Sequence, residues 1–423
     1  MLHAFSAVSP YLKFNPKRVT IDNTIFKLHY RWTFIILIVA TILVCSRQYF
    51  GEHIKCISDT VPVHVINTYC FFTSTFTVVR HLNNTALSNG AIFQPGIGPY
   101  EIYEEPIKRH AYYQWVPFLL FGQALCFYIP HFLWKTWEGG RIKALVYGLK
   151  MVSLSKYLKE RSLKYGQLSM PCLEETECRI KDIRRSMIER MRLNNSWGAH
   201  MVFAELLNLL NLMLQIYWTN LFLGGAFYSL GAKVYAERWT EQMDALDIVF
   251  PKVTKCHFHK YGSSGSLQMH DTLCVMALNI INEKIYTILW FWYAFLFLFT
   301  LLGLVWRAST FLFYKNIKFT RISFYWAKPG KIDDHELTAV IKKCNFSNWT
   351  YLFFLRSNLS EFVFNKVIYH LSSEFPSEQR ENVINAAKLS PKDDDLGPSR
   401  LQTLRIDEIG SPLLEEKGTN KLE

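Results

Sequence analysis

Apolar positions in this chain gather into four blocks, and the polar stretches between them carry nearly all of its charge. The first block, residues 32–46, has fifteen residues free of Lys, Arg, Asp and Glu between Arg31 and Arg47. As helix it covers about 22 Å, short for a hydrocarbon core of about 30 Å, so the flanking arginines must snorkel to complete it. The second, 111–134, has 24 such residues. Tyr112, Tyr113 and Trp115 at one end and Trp134 at the other are placed as interface belts. The third, 193–232, is uncharged except for Glu205, and its forty residues would make about 60 Å of helix. That is twice what a bilayer needs, so the embedded part is expected to stop at Gly224-Gly225 and to occupy 199–225. The fourth, 285–306, has 22 uncharged residues between Lys284 and Arg307. Pro117 and Pro130 lie in the second span, where a kink is one expectation and simple packing or interface prolines the other.

Charge orients the blocks. Segments 1–31, 47–110, 135–192, 228–284 and 307–423 hold 5, 5, 14, 6 and 17 Lys plus Arg against 1, 5, 7, 6 and 15 Asp plus Glu. The positive-inside rule puts both termini (1–31 and 307–423) and the middle loop (135–198) in the cytosol, and the balanced loops 47–110 and 226–284 outside. Cysteine placement agrees independently. Cys56 and Cys70 fall in the first outer loop and Cys256 and Cys274 in the second, where disulfides persist. Three connectivities are open to four cysteines. Cys45, Cys126, Cys172, Cys178 and Cys344 fall in spans or cytosol and are expected as free thiols. Cys172-x5-Cys178 lacks zinc spacing and histidine partners.

Composition fits an integral membrane protein with substantial polar loops. Half of the 423 residues are hydrophobic and 16% aromatic, yet mean hydropathy is only +0.05. A net charge of +12 raises nucleic acid as a partner, but the excess lies mainly on the expected cytosolic face, which removes that reading. Residues 1–18 have no basic leader with an apolar core, so the first span is expected to act as the targeting element. No catalytic triad, phosphate loop or metal constellation is present. Neither enzymatic chemistry nor a cofactor or metal is expected, and His257-x-His259 has no evident third ligand. Glu205, near the cytosolic edge of its span, is expected to be solvated, with gating or pore lining as the functional alternative. The stretch Tyr100-Glu101-Ile102-Tyr103-Glu104-Glu105 is likewise expected to be a solvated loop, with cation attraction at an outer vestibule as the alternative. Asn83-Asn84-Thr85 is a glycosylation sequon in the first outer loop. Asn194, Asn345, Asn348 and Asn358 fit the pattern but fall on the cytosolic side.

Tyr112-Tyr113-Gln114-Trp115-Val116 opens the second span, followed by Pro117, by Pro130 before His131-Phe132-Leu133-Trp134-Lys135, and by Trp137-Glu138-Gly139-Gly140-Arg141. This run resembles the innexins, the invertebrate gap-junction proteins, whose signature is YYQWV. The resemblance extends through Ser46-Arg47-Gln48-Tyr49, Asn67-Thr68-Tyr69-Cys70, Phe258-His259-Lys260-Tyr261-Gly262, Ser264-Gly265-Ser266, His270-Asp271, Leu278-Asn279-Ile280 and Asn282-Glu283-Lys284. It covers roughly residues 1–375 and looks most like insect members of the innexin-seven branch. Connexins carry three cysteines per outer loop, and a tetraspanin would need Cys-Cys-Gly; neither pattern fits.

The resemblance implies an all-α membrane protein. The chain would be a four-transmembrane-helix subunit of a large-pore ring channel, with small disulfide-linked extracellular loops and a helical cytosolic dome. It implies disulfides Cys56–Cys274 and Cys70–Cys256, a ring of eight subunits shared with the same or other innexins, and docking onto an apposed half-channel at plasma-membrane gap junctions. It also implies an N-terminal funnel placing Leu2, His3, Ala4, Phe5 and Ser6 nearest the permeation path. Met1, Phe5, Val8 and Leu12 recur at helical spacing, which a surface helix on the membrane would also explain. Membrane lipids are the remaining expected partner.

Asp333 and Glu336 form a capping-box pattern ahead of Leu337, Val340, Ile341 and Cys344. Phe362, Val363, Val367, Ile368 and Leu371 form a second apolar face. Both are expected to pack with the middle-loop helix near residues 180–191, within a helical region ending at 376. The polar stretch 377–423 is expected to be disordered. The functional expectation is a gap-junction channel passing ions and small metabolites. Its alternatives are an undocked half-channel releasing small molecules outward, or a non-channel adhesion or scaffold protein.

Overall fold

The computed structural model describes residues 19–51, 54–58, 61–82, 94–101, 104–146, 173–193, 196–237 and 245–373. The expected funnel residues Leu2, His3, Ala4, Phe5 and Ser6, the sequon residue Asn83, and 377–423 lie outside them.

Among the described residues, four helices are long and apolar enough to cross a membrane. The first begins as α-helix (Thr24–Lys27), widens to a π-helix (Leu28–Thr33) and continues as α-helix (Phe34–Phe50), together α1. A helix α2 (Val63–Thr73) follows, then α3 (Val116–Glu138), α4 (Arg141–Val146) and α5 (Leu173–Leu193). Next come α6 (Ser196–Phe222), α7 (Phe227–Glu237), α8 (Ala245–Val249) and α9 (Ala277–Phe313). The chain continues with α10 (Ile317–Ala327), α11 (Asp334–Lys343), α12 (Phe346–Asn358) and α13 (Glu361–Ser372).

The first span is not short. Its apolar stretch Thr24–Tyr49 has 26 residues, about 39 Å of helix. It runs through Arg31 and Arg47, so the uncharged run marked only its centre. The π-turn has a local cause: the Thr33 hydroxyl donates to Leu28 O at 2.9 Å and accepts from Trp292 Nε1 of α9 at 2.9 Å. Such insertions into the helical ladder are where helices widen. The third span ends at Phe222, and Gly224 and Gly225, at φ of 65° and 86°, turn the chain; Gly225 N donates to Asn220 O at 2.8 Å.

Among these helices α3 packs on α1 and α6, and α6 on α9. Leu120, Ala124 and Phe127 of α3 are buried against Leu212 of α6 and Leu289, Tyr293 and Leu296 of α9. In an apolar solvent, hydrophobicity does not drive such packing, and polar ties and close fit matter more. Gln123 of α3 donates to Thr219 of α6 at 2.7 Å and accepts from the Tyr293 hydroxyl of α9 at 3.4 Å. Trp134 is fully buried, its indole donating to Ile21 O at 3.2 Å, so it is a packing residue and not an interface belt. Pro117 sits in the first turn of α3, where no hydrogen bond is lost. Pro130 is buried inside that helix and leaves the Cys126 carbonyl without its helical donor.

The loops between spans carry strands as well as helices: β1 (Lys55–Ile57), β2 (Thr75–Val78), β3 (Ile107–His110), β4 (Val253–Tyr261) and β5 (Leu267–Val275). They form one five-stranded sheet in the order β1-β5-β4-β2-β3, every pairing antiparallel. The hairpin β4–β5 from the later loop is thus inserted between strands of the earlier one.

At the opposite end, α10 to α13 pack on one another, and of these it is α13 that packs on α5, while the apolar face of α11 packs chiefly on α13. Asp333 caps α11 by accepting from His335 N at 2.9 Å, and Leu337, Val340, Ile341 and Cys344 are buried. Burial pushes the Cys344 thiol up to about 12, which leaves it an unreactive protonated thiol. Ile180, Ile183 and Met187 of α5 are buried, and Lys366 of α13 reaches Glu177 of α5 at 3.2 Å. Phe362 departs from its expected face: it is half exposed, with Lys366 Nζ over its ring at 5.1 Å.

Candidate functional site

The two inter-span loops close on each other around two disulfides. Cys56 on β1 faces Cys274 on β5 in register and is bonded to it, and Cys70, in the last turns of α2, is bonded to Cys256 on β4. The sulfurs of Cys56, Cys70 and Cys274 lie within 4.8 Å of one another. As disulfides they offer no thiolate to a metal. All four cysteines are buried, so the bonds form the lobe's centre.

The residues around Cys70 explain how α2 is held. Asn67 accepts from Cys56 N at 2.8 Å, fixing β1 to the helix. The Tyr69 ring meets Phe258 of β4 edge-on at 4.9 Å. The C-terminal carbonyls of a helix lack intrahelical donors, and YYQWV supplies them. Gln114 Nε2 donates to Phe71 O at 2.6 Å and the Tyr113 hydroxyl donates to the same oxygen at 3.2 Å. The Tyr112–Gln114 segment is a short 3-10 turn leading into α3. Tyr112 packs on Phe250 at 6.0 Å and on Phe222 of α6 at 6.3 Å, while Val116 is buried and Trp115 is 63% exposed. Only Trp115 is left in the position of an interface belt; Tyr112 and Tyr113 weld the lobe to the top of the bundle. After α2, Ser74 adopts φ +85°, a region costly for a side chain, and turns the chain into β2.

A polar cluster braces the sheet. Tyr100 stacks on His257 with ring centroids 5.6 Å apart and its hydroxyl bonds that imidazole. Lys255 lies over the Tyr100 ring at 4.6 Å, pairs with Asp271 at 2.8 Å and donates to Gly98 O at 3.2 Å. Burial holds the His257 pKa below its ordinary value. On β3, His110 bonds the Thr77 hydroxyl at 2.9 Å; burial, then the Lys108 charge, lower it to about 4. Tyr100 is therefore part of the lobe's framework and not a free loop residue. Of the acidic residues after it, Glu101 and Glu104 are exposed and Glu105 pairs with Arg80 at 2.6 Å.

Among the described residues, the hairpin strands beyond Phe258 and His270 pair only with each other. This tip presents Tyr261 at 73% and Leu267 at 59% exposure, around a turn where Gly265 adopts φ +78°.

The second cluster lies where α1, α6 and α9 meet. Glu205 is buried and not solvated. Its Oε2 accepts from Arg307 Nε at 2.8 Å, and its Oε1 accepts from Arg307 Nη2 at 2.6 Å and from Asn23 Nδ2 at 2.7 Å. Asn23 Oδ1 in turn caps α1 by accepting from Phe26 N at 2.9 Å. Ile25 of α1 fills the space beside Gly303, where any Cβ would strike its Cδ1. The start of α1, the point from which the N-terminal segment departs, is thus tied to two other spans. A separation of 102 residues hid Arg307 as the partner; the only trace in sequence was its place as the first charge after the fourth span.

Comparison with known proteins places these features in a family. The family model described as Innexin matches residues 22–375. The chain is 64% identical to Innexin inx7 of Drosophila melanogaster over 98% of its own length and 94% of that protein's. It is 38% identical to Innexin inx2 of the same organism, over 90% of this chain and 97% of that one. Innexin inx2 of Schistocerca americana is also 38% identical, over 90% and 99%.

Proposed function

This chain belongs to the innexin family and is a multi-pass gap-junction channel subunit, and we propose that its disulfide-clamped lobe is the surface through which its half-channel docks onto another. The observation that carries this is the single sheet built from both loops. Docking requires every subunit in a ring to present the same shape, and a sheet cross-linked twice between loops restricts the alternatives. The exposed hairpin tip around Tyr261 and Leu267 gives that face its apolar contact surface.

In this reading both termini lie in the cytosol, as the charge distribution predicts. Eight subunits surround the pore, and Leu2, His3, Ala4, Phe5 and Ser6 form its cytosolic mouth. The Asn23–Glu205–Arg307 tie anchors the root of that mouth. Assembly is with copies of itself or with other innexins, and the permeants are ions and small metabolites. An undocked half-channel is the second reading, favoured by the sequon at Asn83, since a glycan in the first outer loop would obstruct the docking face.

Recording from paired cells tests both. Cells expressing the chain on each side are expected to show junctional current, and Cys56→Ser at equal surface expression to abolish it. Coupling retained in that variant would refute the role given to the disulfide. Single-cell current without coupling, converted to coupling by Asn83→Gln, would favour the second reading.

A further inference from the structure

The helix after the fourth span, α10, carries exposed aromatic and basic side chains side by side. α9 has 37 residues, about 56 Å, and its uncharged run ends at Trp306. Arg307 turns inward to Glu205. The chain then bends at Lys315, and Asn316 caps α10 by accepting from Lys318 N at 3.0 Å. α10 folds back against the same level. Trp306 stacks on Trp326 at 5.3 Å and meets Phe319 at 5.7 Å. The fourth span continues past Trp306 to Phe313, with Phe311, Leu312 and Phe313 exposed, so α10 folds back beside the last turns of that span.

The inward side of α10 is satisfied. Thr320, Ser323 and Phe324 are buried, with Thr320 accepting from the Trp349 indole of α12 at 3.0 Å. Among the described residues nothing covers its outward side. Ile322, Tyr325 and Trp326 are exposed at 53%, 56% and 68%, in line with the exposed Lys318 and Arg321. Segment 314–328 holds four basic residues and no acidic one. Arg321 is partly engaged by Asp334, which leaves Lys315 and Lys318 as the exposed amines nearest the bend. Aromatic rings beside amines are the composition of a helix lying in the headgroup layer.

We propose that the α9–α10 elbow is a binding surface for anionic phospholipid, with Lys315 and Lys318 holding the headgroup and Tyr325 and Trp326 seated at the acyl boundary. Two observations favour lipid over a neighbouring subunit as the occupant. The first is the one-signed charge of the segment, which complements anionic headgroups. The second is continuity with the exposed apolar stripe Leu298, Leu302 and Val305 on α9. Assignment to the inner leaflet rests on the cytosolic placement of the C-terminal region proposed above.

The test uses the purified full chain in detergent, offered equal amounts of phosphatidylserine and phosphatidylcholine, with bound lipid counted by native mass spectrometry. Phosphatidylserine should be retained preferentially, and the preference should fall about fivefold per amine removed in Lys315→Gln and Lys318→Gln. Trp326→Ser should loosen both lipids alike. An unchanged preference in the double lysine variant would overturn the proposal. So would a photo-crosslinker at position 322 that captures a second copy of the chain and no lipid. Sidedness does not enter an experiment in detergent. A C-terminal epitope reached on intact cells would therefore overturn the inner-leaflet assignment alone.

Discussion

Replacing Arg307 with Met leaves the Glu205 carboxylate buried among three helices with Asn23 as its remaining donor among the described residues. Glu205 and Arg307 are 7% and 8% exposed, and the pair is joined through both carboxylate oxygens at 2.6 and 2.8 Å. Breaking a buried pair from one side costs about 3–5 kcal/mol, because the surviving charge stays desolvated. Replacing both partners by apolar groups removes that penalty and is often close to neutral. The double variant Glu205→Leu/Arg307→Met would then lose chiefly the hydrogen bond from Asn23, about 1 kcal/mol. The expected order is unusual for two damaging changes, since the double variant should be more stable than Arg307→Met alone. Titrating the purified subunit with a denaturing detergent and following loss of helix packing measures all four corners of the cycle. Single-variant costs that add to within about 0.5 kcal/mol in the double would refute a direct ionic tie.

Four further outcomes follow from the lobe and the bundle. His110 has a folded pKa near 4 against about 6.5 when unfolded. Its neutral burial therefore contributes fully above pH 6.5, and that contribution is lost as pH falls toward 4. Melting at pH 5.5 should show a loss of about 1.4 kcal/mol relative to pH 7.5, and His110→Gln should flatten that slope. Gln114→Ala removes a donor from the end of α2 and should cost about 1 kcal/mol, read as earlier thermal unfolding. Ser74→Gly should raise the melting temperature by relieving positive φ, and Ser74→Val should lower it. A Cβ at Gly231 would run into Trp290, whose indole is held by Tyr228 O at 3.2 Å. Gly231→Val should cost about 1–3 kcal/mol, visible as reduced assembly on size exclusion.

The four spans were legible because about twenty uncharged residues in a row have few other uses. Their ends were not, since tertiary partners set them. Arg31 and Arg47 continue α1, and Trp134 is buried instead of resting at an interface. The nine-residue β4 and β5 were long enough to read as strands, but the strands they join were hidden for a different reason. β1 has three residues and β2 four, too few for period-two alternation to register. The family motif could be recognised in the residues, but its task could not. That Gln114 and Tyr113 fill the open carbonyls of α2 depends on a chain reversal no local pattern encodes. Glu205 was visible as an anomaly, but its remedy lay 102 residues away.

The strand order also carries a consequence for how the protein is made. Cys56 and Cys70 are synthesised long before their partners, which lie 218 and 186 residues downstream. Until the hairpin β4–β5 arrives, β1 and the β2–β3 pair have nothing between them, and the two early thiols have only each other. A bond between them would be the wrong one and would have to be broken by thiol exchange before the sheet closes. Maturation of this subunit should therefore depend on an oxidoreductase that isomerises as well as oxidises. Trapped Cys56–Cys70 species should accumulate in chains truncated before Val253.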